Sequence, residues 1–269
     1  MIEIDPELES DLRTLFQKFD DQNIRYVVLR GYEMLFDQIP GNDIDILIHP
    51  DDIATAEYIC NIVGFEKKAF WIMEVVKFGK VHLLPVKKGI LQALRHPKKY
   101  LSLGYQAFRG GSVYKLNPPY HEMKRFAHGT MLHGYDRLVY KYPSTRDKIP
   151  VSNEVTKSVF DHRRKRNDYW VPSAVDELLH LICRCVFDHQ GVPPKYYHEM
   201  IKSKAKMFTD ISGEVQRFLQ TAECIFGRRT YEICAPVLNL DPEEFVTIAK
   251  SVYTDWQQNS TQIDQLRYC

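Results

Sequence analysis

The chain has 269 residues, enough to bury a substantial core as one large domain or two modest ones. Its 44% hydrophobic and 26% charged composition is that of an ordinary globular protein, and 36 basic against 35 acidic side chains leave a formal net charge of +1. So small a net charge supplies no global field for a long nucleic acid, and no apolar stretch approaches the roughly 20 residues of a membrane span. The start, Met-Ile-Glu-Ile-Asp-Pro, lacks the basic region and apolar run of a signal peptide. Cys60, Cys183, Cys185, Cys224, Cys234 and Cys269 form no Cys-x-x-Cys pair, so the expectation is a cytoplasmic protein with reduced thiols and no zinc.

Taken in chain order, residues 6 to 22 place Leu8, Leu12, Leu15, Phe16 and Phe19 on one helical face, with Glu7, Glu9 and Asp11 near the start. Tyr26 to Leu29 predict a buried strand ending at Gly31, and Asp43 to Ile48 a second strand. His49-Pro50-Asp51-Asp52 predicts a helix start, with Ile53, Ala56, Ile59, Cys60 and Val63 as its apolar face and Gly64 as its stop. Phe70 to Phe78 and Val81 to Val86 read as a hairpin around Gly79. The pattern weakens over residues 87 to 120. A loop-rich boundary is expected at 142–170, where Pro143, Pro150 and the basic run His162-Arg163-Arg164-Lys165-Arg166 occur. Ser173 opens a helix with Leu178, Leu179, Leu181, Ile182, Cys185 and Val186 on its apolar face, ended by Gly191. Further helices are expected at 209–226, 228–238 and 242–256. The expected architecture is therefore α/β (α+β), a mixed sheet with flanking helices over residues 1–120, followed by a mostly helical domain over 121–269.

The chemistry concentrates in Tyr26-Val-Val-Leu-Arg-Gly31 and Asp43-Ile-Asp45-Ile-Leu-Ile48. Residues two apart in a strand share a face, so Asp43 and Asp45 project together while Ile44 and Ile46 turn to a core. Paired carboxylates repel, and a hard divalent cation is the usual reason to tolerate them. A solvated strand end with two surface acids is the plain alternative. Gly31 behind a strand, followed by the Asp-x-Asp strand, resembles the signature of the nucleotidyltransferase superfamily, the polymerase-beta-like minimal fold, over roughly residues 10 to 90. The resemblance implies that Gly31 opens the turn beneath a triphosphate and that Asp43 and Asp45 are the catalytic, metal-holding acids. It also implies Mg²⁺ or Mn²⁺ as the metal and an NTP substrate, ATP first among them. The chain departs from the family pattern at Tyr32, where a small residue is expected beside the phosphates. It departs again in Val81-His82-Leu83-Leu84-Pro85-Val86, where Leu84 stands in the place of the third acid.

Other candidates surround this pair. Arg30 precedes the glycine turn, and Lys87 and Lys88 follow the strand expected to cross the site, so with Gly31 and Tyr32 they are expected to line the nucleotide. His82 and Glu74 are the candidates to replace the third acid. The basic run at 162–166 reads either as a contact for an acceptor's phosphates or as a solvated loop. His121, His128 and His133 lack a spacing that gathers them on one helical face, so no metal site is expected among them. The resulting expectation is a Mg²⁺-dependent nucleotidyltransferase that moves a nucleoside monophosphate to a small-molecule or protein acceptor, with no membrane and no long nucleic acid as partner. The alternatives are a catalytically weakened nucleotide-binding regulator of the same fold, and a helical interaction module on an α/β scaffold.

Overall fold

After a two-residue strand β1 (Ile2–Glu3), Asp5 accepts a hydrogen bond from the Glu7 backbone N–H at 2.9 Å and Pro6 opens helix α1 (Pro6–Asp21). The apolar face read from the sequence, Leu8 to Phe19, is buried. Each such side chain gains roughly 1.5–3 kcal/mol on leaving water. The computed structural model describes residues 2–36, 38–39, 43–67, 72–77, 80–85, 120–141, 148–207 and 212–258. Strands β2 (Tyr26–Val28), β3 (Gln38–Ile39) and β4 (Asp43–Ile48) follow, then helix α2 (Ile53–Val63), closed by Gly64 in the left-handed region at φ +100°.

The hairpin expected around Gly79 is present as β5 (Ile72–Lys77) and β6 (Lys80–Pro85), paired antiparallel with Lys77 opposite Lys80. Residues 67–119 form a compact unit of their own, and 1–66 together with 120–269 form the other. Next, β7 (Glu122–Ala127) and β8 (Thr130–Tyr135) join the sheet of the N-terminal strands, in the order β2-β4-β8-β7. β2 runs antiparallel to β4, β4 parallel to β8, and β8 antiparallel to β7.

Period-two alternation divides this sheet into two faces. Tyr26, Val28, Ile44, Ile46, Ile48 and Leu132 pack with α1 and α2 in one core. Val27, Leu47 and Tyr135 point the other way, into a second core built with the C-terminal helices. Asp43 and Asp45 share the face of Leu47, and His133 shares that of Tyr135.

The expected loop at 142–170 is replaced, over its described part, by regular structure. β9 (Val139–Lys141) pairs with β10 (Lys148–Pro150), helix α3 (Asn153–Asp161) follows, and β11 (Arg164–Arg166) pairs with β12 (Tyr169–Val171). Ser152 caps α3, which buries Val155, Val159 and Phe160; the prolines and the basic run hid that short apolar stripe. Within the run, Lys165 pairs with Asp20, and Arg163 and Lys165 both lie over the Trp170 ring. Arg164 to Arg166 thus lie on a hairpin strand.

Helix α4 (Ala174–Cys183) is capped by Ser173 as expected, but passes into a π-helical turn at Arg184–Asp188 before Gly191. Gly191 adopts φ +73°, and a Cβ there would lie 2.4 Å from the Lys250 Cα, so only glycine permits this close approach. Four helices complete the layer: α5 (Lys195–Lys206), α6 (Ser212–Phe226), α7 (Thr230–Leu238) and α8 (Pro242–Gln258). Among the described residues no helix is long and apolar enough to cross a membrane.

Candidate metal centre

Because β4 and β8 pair in parallel with Asp45 opposite His133, two strands distant in sequence bring an imidazole beside the acid pair. Single ligand atoms of Asp43, Asp45 and His133 all lie within 4.8 Å of one another. Asp45 and His133 are buried, whereas the Asp43 side chain is 37% exposed and opens the site to solvent. The expected convergence of the two carboxylates is therefore present.

Arg30 supplies the local counter-charge. Its Nε donates to Asp45 Oδ2 and its Nη2 lies 3.6 Å from Asp43 Oδ2, so one guanidinium bridges both acids. Its position follows from the strand: the Leu29 N–H donates to the Asp45 carbonyl at 3.0 Å, fixing the next residue over the carboxylates. Gly31 then turns the chain at φ +69°, opening a short 3₁₀ turn at Tyr32–Met34.

His133 is held from both sides. Its Nε2 lies 2.6 Å from Glu122 Oε1, its Nδ1 lies 2.9 Å from the Tyr135 hydroxyl, and Nδ1 is 3.7 Å from Asp45 Oδ1. Burial pushes the Tyr135 phenol up, and the Asp45 and Glu122 charges push it further. Arg184, on the π-helical turn, donates through Nε to the Tyr197 hydroxyl at 3.0 Å and lies 3.3 Å from Asp188. Burial works against its charge, but Asp188, Tyr197 and Asp45 together hold its pKa above the usual value. His180 is driven well below its ordinary pKa by burial, then by Arg184 and Arg30, so it is neutral at physiological pH.

Tyr32 requires a correction. Expected beside phosphates, it is fully buried and its hydroxyl donates to Glu177 while Lys204 donates to it at 3.0 Å. Lys204 also lies 2.7 Å from Glu33 and 2.7 Å from Glu177, so Tyr32 ties the glycine turn to α4 and α5 rather than facing a ligand. The aromatic side chain at this position is a packing choice: a small residue would leave Glu177 and Lys204 without their shared hydroxyl.

The third position also differs from expectation. The strand hydrogen-bonded to β4 on the side away from β2 is β8, which sets His133 and not Leu84 opposite Asp45. Leu84, His82 and Glu74 lie on the β5–β6 hairpin, outside the four-stranded sheet. Lys87 and Lys88 lie outside the described residues. His121 faces Glu57, His128 faces Asp11, and His133 faces Glu122.

Sequence reading missed His133, Glu122, Tyr135 and Arg184. A local signal for three of them was there: His128-Gly129, both at positive φ, is a two-residue turn between alternating segments, the pattern of a tight hairpin. Nothing local marks the parallel pairing that sets His133 against Asp45. No family model, no curated protein and no solved structure matches this chain, so the reading of the site rests on its own geometry.

Proposed function

We propose that the chain is a divalent-cation-dependent nucleotidyltransferase of the minimal polymerase-beta-like kind, moving a nucleoside monophosphate from an NTP, ATP first, to a small-molecule or protein acceptor. The observation that carries this reading is the pairing of Asp43 and Asp45 on one strand face directly beneath the Arg30–Gly31 turn of the neighbouring strand. The donor set, two carboxylates and an imidazole within reach of one point, fits a divalent cation. Mg²⁺ or Mn²⁺ held there supplies charge to offset that developing on transferred phosphate oxygens.

The chain's own groups divide the remaining work. Arg30, with its planar fork partly exposed above the acids, is placed to pass from the carboxylates to a phosphate. Gly31 lets the backbone come close to such a ligand. Arg184 adds a second fixed positive charge near Asp45, which favours polyanionic substrate over bulk water.

A second reading is favoured by the same guanidinium. Because Arg30 already pairs with both acids and offsets one of their two charges, a nucleotide-binding regulator with weak or no turnover shares the geometry. Calorimetric titration with each NTP in Mg²⁺, followed by measurement of pyrophosphate, separates the two. Binding with pyrophosphate release supports the enzyme and binding without release supports the regulator. No binding of any NTP refutes both.

A further inference from the structure

The ring of His133 is oriented by its neighbours. A carboxylate only accepts, so Glu122 at 2.6 Å places the ring proton on Nε2 and leaves the lone pair on Nδ1. Nδ1 also lies 3.7 Å from Asp45 Oδ1, too long for a direct hydrogen bond. Two ligands bound at about 2.0–2.2 Å to one cation lie at most about 4 Å apart, so the gap suits a shared ion. Asp43 is the half-exposed member and supplies the rotation needed to close the set. With a cation on Nδ1, Glu122 behind the imidazole would form the carboxylate–histidine–metal arrangement that fixes tautomer and raises ligand basicity.

We propose that His133 Nδ1 completes, with Asp43 and Asp45, a site selecting a first-row transition ion of the Mn²⁺ or Co²⁺ kind over Mg²⁺. This rests on the reading above that the two acids hold a cation. It goes further because Mg²⁺ is bound by oxygen, whereas imidazole nitrogen favours the transition series. Tyr135 is the local competitor: its O–H donates to the same lone pair at 2.9 Å and must rotate away when nitrogen coordinates.

The test is binding of the metals alone to the full chain. Calorimetry with Mn²⁺, Co²⁺ and Mg²⁺ is expected to give Mn²⁺ and Co²⁺ at least about tenfold tighter than Mg²⁺. Pulsed electron paramagnetic resonance of the Mn²⁺-loaded wild type is expected to show nitrogen coupling from one imidazole, a readout that needs no variant. Glu122→Gln should weaken Mn²⁺ by about tenfold and leave Mg²⁺ within about twofold, and His133→Ala should abolish the nitrogen signal. Tyr135→Phe should tighten Mn²⁺ without moving Mg²⁺. Equal binding of Mn²⁺ and Mg²⁺ with no nitrogen coupling overturns this inference while leaving the carboxylate site standing. Failure of the wild type to take up any divalent cation overturns both.

Discussion

Replacing Lys204 by methionine tests the claim that the glycine turn is anchored from beneath by a buried ionic network. Methionine keeps the aliphatic stem packed while removing the ammonium that lies 2.7 Å from Glu177, 2.7 Å from Glu33 and 3.0 Å from the Tyr32 hydroxyl. Glu177 is only 2% exposed, so its charge is left without a cation. Removing one partner of a buried pair costs about 3–5 kcal/mol. The Tyr32 hydroxyl still donates to Glu177, which places the expected loss near the lower end, about 3 kcal/mol. The pH dependence sharpens the test. Burial already raises the Glu177 pKa, opposed by Lys204 and Tyr32, and losing Lys204 raises it further. A raised folded-state pKa contributes stability that is present below the unfolded carboxylate value and is lost as pH rises through the folded value. The variant's deficit should therefore be larger at pH 8 than at pH 5, changing by at most about 1.4 kcal/mol per pH unit while Glu177 titrates. Urea denaturation of both proteins at the two pH values measures it. A deficit below about 1 kcal/mol at pH 8, or one independent of pH, refutes the network as described.

Four further outcomes are expected, three at the site and one in the helical layer. Tyr32→Phe should cost about 1–2 kcal/mol in urea unfolding while leaving NTP affinity unchanged, because its hydroxyl serves Glu177 and not a ligand. Arg30→Ala removes the internal cation, so Mn²⁺ affinity should rise by about tenfold while NTP affinity falls; both quantities are read by calorimetry. Asp45→Asn should reduce cation binding by at least about tenfold and lower the melting temperature by a few degrees. Removing one carboxylate brings little relief of like-charge repulsion, since Arg30 already pairs with both acids. Gly191→Ala should be strongly destabilising in thermal melts, because its Cβ would overlap the Lys250 backbone.

Elements with strong local signals were legible in the sequence. α1, α2 and the strand pair β2–β4 carry caps, glycine stops and period-two alternation within a few residues of each other. The acid pair was legible for the same reason: Asp43 and Asp45 report their shared face by spacing alone. What stayed hidden is non-local. The place of His133 depends on a parallel register between β4 and β8, and the burial of Tyr32 depends on Glu177 and Lys204 arriving from α4 and α5. Neither leaves a trace in the residues flanking it. α3 was obscured by a different cause, because its four buried residues lie between prolines and a basic run that read as loop.

Asp43, Asp45 and His133 are proposed to hold one divalent cation beneath the Arg30–Gly31 turn. The most direct measurement is a crystal of the full chain soaked with Mn²⁺ and a non-hydrolysable NTP, with anomalous scattering recorded at the manganese edge. The expected result is a single strong peak within coordination distance of both carboxylates and of His133 Nδ1, with phosphate oxygens completing the shell and Arg30 turned toward them. A peak elsewhere, or none while Arg30 still bridges Asp43 and Asp45, contradicts it.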